Sequence, residues 1–463
     1  MLWCEYQALK KRKENKMEID VIKLQEEYFS EALEKIQEII QIPSVRSAAQ
    51  PKAPFGLGTK AVLDYAINLG KELGFKTYQD PENRYGYVEY GAGVEIFAIL
   101  GHLDVVPAGD LNKWDFEPFQ AQIKDGKLLG RGSFDDKGPT LINLYALKYL
   151  KDHKYQPDYC IRLIFGLTEE TDWASIKAYM AIEGTPTLGY TPDGEFPVVY
   201  AEKGIIKADI IGGSEKFSLL GGEAYNCVAD VVRYQGPHLT EIKTKLEQKQ
   251  IETMMEDDCL IVKGKASHGS LPERGVNAAL VTLATYAEVK TDSPIANFVK
   301  KHLYNDFHFS QLFPTMKDET GLLIVNNGIV EINAEKTRLT LNMRVPISYQ
   351  LKDVEGPLGK ELKNYHLELR KISWEKPIHM PIDSPMIKNI MQVYQDVTGD
   401  KEAKPVAIGG GTYAKAMPNC VAFGAEFDIN ESTMHAYNEY VNISDLQKML
   451  EIYTKAILLL TTK

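Results

Sequence analysis

Cysteine is scarce in this chain, with five in 463 residues, at positions 4, 160, 227, 259 and 420. None falls at the short spacing of a metal knuckle, and an odd, scattered set excludes a disulfide framework. Sparse cysteine fits a reducing compartment and points to the cytoplasm. Long apolar runs are missing as well: no stretch reaches 18 residues, so no transmembrane helix is expected. An excess of basic residues is also absent, and the formal net charge of −11 disfavours nucleic acid or an anionic membrane as the main partner. No secretory leader is legible in Met1-Leu2-Trp3-Cys4 followed by Lys10-Lys11-Arg12-Lys13, because a leader places its charges first and has a longer apolar stretch.

What is present is an ordinary globular composition in a chain long enough for two cores. Met17 precedes the first convincing helix, so residues 1–20 are expected to be an N-terminal extension. Phe29, Leu33, Ile36, Ile39 and Ile40 repeat at helical spacing up to Pro43. A second helix is expected from Thr59 to Leu73, with Gly74 as its cap. Strands and helices then alternate to about residue 200, the pattern of an α/β sheet. Between 201 and 385 the texture changes to strand-like pieces, Cys259 to Gly264 and Arg338 to Arg344, mixed with helices such as Asn277 to Val289. The last segment, 386–463, ends in a helix with the stripe Leu446, Met449, Leu450, Tyr453, Ile457 and Leu460, for which Ser444 and Gln447 predict a capping box. The expected architecture is a mixed-sheet α/β catalytic domain split into 21–200 and 386–463, with an α+β domain inserted over 201–385.

Two stretches without mutual similarity carry the chemistry. Gly101-His102-Leu103-Asp104-Val105-Val106-Pro107 follows the apolar run Glu95 to Leu100, and Gly130-Arg131-Gly132-Ser133-Phe134-Asp135-Asp136-Lys137-Gly138 opens a helix near Pro139. Thr168-Glu169-Glu170 follows a strand at Ile161 to Phe165, and Pro192-Asp193-Gly194-Glu195 and Met434-His435 come later. A His and carboxylates at the exits of such strands stand where an α/β sheet places ligands. Together they match the inventory of a two-metal hydrolase, which needs a bridging carboxylate, terminal His or carboxylate ligands and a shared water.

In motif order and spacing these residues resemble the dinuclear-metal aminopeptidase/carboxypeptidase/deacylase family, and most of all its PepV-type dipeptidases. The resemblance implies that His102 and Asp193 complete one metal site, Glu170 and His435 the other, and Asp135 bridges them. Three carboxylates against two divalent cations leave about one net positive charge, suited to a bound hydroxide. A ligand set without thiolate suits zinc, with manganese or cobalt as alternatives. Asp104, two residues after His102, is expected to hold the other imidazole nitrogen. Glu169 is expected to be the general base that activates a metal-bridging water.

The same resemblance extends to Gly264-Lys265-Ala266-Ser267-His268-Gly269-Ser270 with Asn277, where His268 supports the oxyanion of the tetrahedral intermediate as a third catalytic residue. Arg344 corresponds to the arginine that clasps the substrate's terminal carboxylate. Gly409-Gly410-Gly411-Thr412 resembles a glycine-rich stretch beside the cleft, and Gly410, Gly411 and Thr412, with Asn277, are assigned to substrate binding. The chain departs from the family at Thr168, where an aspartate is common, at Asp172, where dipeptidases usually show glycine, and at Ala229, a usual proline position. The implied activity is hydrolysis of small unblocked dipeptides by a cytoplasmic monomer. Two alternatives remain: an N-acyl or N-succinyl amino acid deacylase with the same metals, or a non-catalytic metal or peptide binder.

Overall fold

Asp20 caps the first helical turn among the described residues: its side chain accepts the Lys23 N–H, and its own N–H donates to the Tyr149 hydroxyl at 2.8 Å. The computed structural model describes residues 17–463, so the expected extension and Cys4 lie outside the described residues up to position 16. Asp20 corrects the rest of that expectation, because it is tied to a buried tyrosine and caps the first turn. Helical chain then runs without a break through Val21–Lys23, the wider turns of Leu24–Phe29 and Ser30–Ile40, starting eight residues before the apolar repeat at Phe29.

The chain divides into two compact units. The first takes the residues up to Tyr200, then Met380–Val406 and Thr412–Lys463; the second takes Ala201–His379 and a short return at Ala407–Gly411. That return carries Gly409, Gly410 and Gly411 into the second unit, although they were expected in the closing part of the first.

In the first unit a mixed sheet runs in the order Lys76–Gln79, Gly86–Tyr90, Cys160–Gly166, Ile96–His102, Leu188–Thr191 and Cys420–Ala422. The outer two pairings are antiparallel, and the last four strands lie parallel. Parallel strands buried on both faces read as continuous apolar runs, which is how Ile96-Phe97-Ala98-Ile99-Leu100 was legible. Because neighbouring parallel strands end on the same side, His102 is paired in register with Gly166, three residues before Glu169.

Two helices pack together against this unit's core, Lys137–Asp152 and Ile443–Leu460. In the last helix Leu446, Met449, Leu450, Tyr453 and Ile457 are fully buried, each such apolar side chain contributing about 1.5–3 kcal/mol. The helix starts at Ile443, earlier than expected. Ser444 therefore lies inside its first turn, and the predicted capping box with Gln447 does not form; Asn442 instead donates from its side chain to Asp445 at 2.9 Å. Gly101 lets the strand approach helix Lys137–Asp152, since a Cβ there would meet the Thr140 hydroxyl oxygen at 2.1 Å.

The second unit is an antiparallel sheet ordered Glu252–Glu256, Cys259–Lys263, Val231–Gln235, Ser218–Gly221, Val330–Ile332, Thr337–Val345, Gly204–Gly212 and Glu368–Glu375. Helices Leu239–Gln248, Ala278–Val289, Pro294–His302 and Leu351–Lys363 share one apolar core with it. Among the described residues no helix is long and apolar enough to cross a membrane.

Candidate metal centre

His102 ends its strand, Glu169 and Glu170 follow the end of the next, and Asp193 follows Thr191 at the end of a third. Asp135 lies just before helix Lys137–Asp152, joined to Asp136 by a cis peptide bond. His435 comes from the loop before the last helix, in the left-handed region at φ 59°. The fold gathers ligand atoms of His102, Asp135 and Glu170 within 4.8 Å of one another, and likewise those of His102, Glu169 and Asp193.

Asp135 sits in the middle. Its Oδ1 is 2.9 Å from His102 Nε2 and its Oδ2 is 2.9 Å from His435 Nε2. Asp193 approaches His102 Nε2 to 3.7 Å, and Glu170 approaches His435 Nε2 to 3.0 Å. Burial, reinforced by the charge of Asp193, pushes Glu169 well above the usual carboxylate range, and burial with the charge of Asp135 does the same to Asp193. Burial opposes charge on His435, but its contacts with Asp135 and Glu170 prevail and push it up to about 11. His102 Nε2 and Asp135 Oδ1 are fully buried and meet no hydrogen-bond partner, although they face each other closely. Two polar atoms aimed at one buried point among four carboxylates suit a divalent cation, which would neutralise that charge and satisfy both. The donor set fits metal.

Asp104 has more contacts than its expected use alone. The Nδ1 of His102 meets the backbone carbonyl of Asp104 at 3.0 Å, while the carboxylate stands off at 3.5 Å. That carboxylate also accepts from the backbone N–H groups of Glu169 at 3.1 Å and Glu170 at 3.2 Å.

A profile of Peptidase family M20/M25/M40 matches residues 98–459. The chain belongs to this family. It is thus a peptide hydrolase, with the split mixed-sheet α/β domain and inserted α+β domain of that fold. A protein of Staphylococcus epidermidis, provisionally named a dipeptidase, is 34% identical over 463 residues, covering 93% of this chain and 97% of the relative. A similarly named protein of Staphylococcus haemolyticus is 32% identical over 461 residues with the same coverage. Among solved structures, the dipeptidase Dug1p of Saccharomyces cerevisiae matches with a TM-score of 0.60 at 13% identity, covering 96% of this chain and 99% of its own. The M20 family metallo-carboxypeptidase Sso-CP2 of Sulfolobus solfataricus gives 0.58 at 17%, covering 93% and 99%. At such identities the structures speak for the fold alone.

Several residues around this M20 centre were not singled out in the sequence. Asp136, fully buried, accepts the His102 N–H at 3.1 Å and the Thr140 hydroxyl at 2.8 Å. Lys137 buries its ammonium against the carbonyls of Ile39 at 3.2 Å and Ile42 at 2.7 Å, and burial pushes it down to about 7. Glu439 is buried against Arg131 at 2.6 Å. An Asp-Lys-Gly step beside a ligand was the only signal for the first two. Nothing local marked Glu439.

The remaining expected residues belong to the second unit, Thr412 excepted. His268 is exposed; its Nδ1 lies 2.6 Å from the Ser270 hydroxyl and accepts the Ser270 N–H at 3.3 Å. In a neutral ring that leaves the proton on Nε2, a donor. Arg344 is 4% exposed, with hydrogen bonds to the Asn342 side-chain oxygen at 2.8 Å and the Gly409 carbonyl at 2.9 Å. Both acceptors are neutral, so neither balances the guanidinium charge. Asn277 caps a helix: its oxygen accepts the Leu280 N–H at 3.0 Å, and its amide donates to Asn327 O at 2.7 Å. Thr412 likewise caps a turn, accepting the Ala414 N–H at 3.1 Å. Gly410 and Gly411 adopt no positive φ, so their backbone does not demand glycine.

Proposed function

We propose that this chain is a dinuclear metallodipeptidase that hydrolyses small unblocked dipeptides. The supporting observation is the Asp135 carboxylate, whose two oxygens each lie 2.9 Å from a different imidazole Nε2. A carboxylate that faces two separate ligand sets suits a bridge between two ions. His102 and Asp193 would hold one ion, and Glu170 and His435 the other; zinc suits this set, as would manganese or cobalt. When bound, such ions polarise the scissile carbonyl and acidify water.

Glu169 is assigned as general base. Its buried site raises its proton affinity above that of an ordinary carboxylate, so the ionised form can take a proton from the attacking water and deliver it to the leaving amine. Asp104 holds the Glu169 and Glu170 backbone and so steadies both carboxylates. His268 is assigned to the oxyanion through its Nε2–H, and Arg344 to the substrate's terminal carboxylate. A buried guanidinium whose hydrogen-bond acceptors are both neutral gains most from such an anion. None of the four described cysteines forms a disulfide, which supports a cytoplasmic enzyme, and we assign it as a monomer.

The test is purified protein loaded with zinc or manganese and offered a dipeptide panel beside N-acetyl and N-succinyl amino acids. Efficient cleavage of free dipeptides is expected. Turnover of only the acylated amino acids would replace the proposal with a deacylase.

A further inference from the structure

We propose that Glu439, clamped by Arg131, is the positioning residue that sets Asp135 between His102 and His435. This rests on the metal centre proposed above. One oxygen of Glu439 accepts three backbone N–H groups, from Gly132 at 2.9 Å, Phe134 at 3.1 Å and Asp135 at 3.3 Å. The loop before the bridging carboxylate is therefore wrapped around a single buried atom, and Asp135 is held through its own main chain. The other oxygen takes Arg131 Nη1 at 2.6 Å, and Arg131 Nη2 donates to the carbonyl of Ala436 at 3.1 Å. Ala436 follows His435, whose left-handed φ of 59° is uncommon for a residue with a side chain and must be held by its surroundings.

The pair thus grips both ends of the Asp135–His435 contact from segments some 300 residues apart in sequence. Its side chains are 3% and 1% exposed, so water does not loosen it, and the Arg131 guanidinium lies 5.1 Å from the centre of the Trp114 ring. A cross-link with only a stabilising duty could fasten any two loops. This one fastens the residue that faces both imidazoles and the residue beside one of them.

The experiment titrates zinc alone into metal-stripped enzyme and follows kcat, KM and apoprotein melting for wild type, Glu439→Gln and Asp80→Asn. The glutamine keeps the volume and one acceptor, but turns an NH2 toward Arg131. Asp80 serves as the comparison because it too is buried, pairs with Arg84 at 2.7 Å and accepts backbone N–H groups, yet touches no ligand. Glu439→Gln should weaken zinc binding by roughly 10- to 100-fold, the usual effect of losing a partner that orients a ligand. It should lower kcat more than it alters KM. Asp80→Asn should lower only the melting temperature.

Unchanged zinc affinity and kcat in Glu439→Gln would overturn the proposal, as would an equal loss of zinc affinity in Asp80→Asn. Should Glu439→Gln fail to fold, Arg131→Lys keeps the charge and drops the arm to Ala436. It should weaken zinc binding in the same direction, and an unaltered affinity there overturns the proposal. Wild type that binds no zinc would instead defeat the metal centre itself.

Discussion

The carboxylate of Asp104 accepts the backbone N–H of Glu169 at 3.1 Å, and so steadies the assigned base while also standing 3.5 Å from the imidazole two residues before it. Asp104→Asn keeps the shape but turns one acceptor into a donor facing a backbone N–H. The Glu169-Glu170 turn should loosen, and turnover should fall by roughly 10- to 100-fold. Steady-state kinetics with metal content measured on the same sample would check this. Metal loss without any fall in turnover per bound metal would assign Asp104 to the ligands instead.

Glu169→Gln should retain metal and lose roughly 10²- to 10⁴-fold in rate, the size of a general-base contribution. Glu170→Gln should instead weaken metal binding, since Glu170 approaches His435 to 3.0 Å. Metal analysis beside kcat separates the two. The opposite pattern would exchange their roles.

Stripping the metal should abolish activity and make stability depend on pH in a particular direction. Glu169, Glu170, Asp193, His102 and His435 all bind protons more tightly in the folded apoprotein than their ordinary values imply. Groups raised on folding stabilise most at low pH, and the gain is lost as pH climbs toward their folded values. For His435 it is fully present below its ordinary 6.5 and fades toward about 11. Lys137, pushed down to about 7 by burial, opposes the trend near neutral pH. Asp135, held below the carboxylate range by the two imidazoles against the effect of burial, changes stability only at more acid pH. The apoprotein should melt at lower temperature as pH rises from 5 to 8, and added zinc should raise the melting temperature most at the alkaline end. A flat apoprotein profile would contradict this.

His268→Ala should reduce kcat by about 2.7–4 kcal/mol in barrier terms if the residue acts as an oxyanion donor, with KM little changed. Metal content should not move. Near-normal turnover would leave His268 as an exposed turn residue paired with Ser270.

Arg344→Ala should cripple cleavage of a free dipeptide yet barely affect its C-terminal amide. Removing one partner of a buried charged pair costs on the order of 2–5 kcal/mol, and the amide offers no anion to lose. Comparing wild type and variant on both substrates measures the coupling directly. Additive losses would place the carboxylate elsewhere.

Much of the architecture was legible because buried parallel strands announce themselves as apolar runs. Ile96 to Leu100 and Ile161 to Phe165 could be located from composition, and their ends mark where His102 and Glu169 emerge. The texture change near residue 200 was equally visible, since antiparallel strands with one buried face alternate. What stayed hidden depends on partners distant in sequence. Glu439 lies between Asn438 and Tyr440 like any surface glutamate, and only the folded chain brings it onto the loop of Asp135. Asp104 was assigned the imidazole from its i+2 position, but the turn after His102 also delivers its carbonyl there and shares the carboxylate with the neighbouring strand end. Asn277 reads the same whether it caps a helix or contacts a ligand, because capping and binding use the same two amide atoms.

The position of the strand Cys420–Ala422 has a consequence for synthesis. Leu188–Thr191 leaves the ribosome roughly 230 residues before the strand that must lie beside it. At typical elongation rates the nascent chain waits on the order of 10–50 s with that sheet edge open and four acidic side chains gathered without His435. During the delay the inserted unit, whose antiparallel sheet draws its strands from residues 204–375, is made in full. The ribosome thus finishes the insertion before the domain that hosts it. Truncation between residues 411 and 420 would leave every residue of the insertion attached to a sheet that lacks this strand.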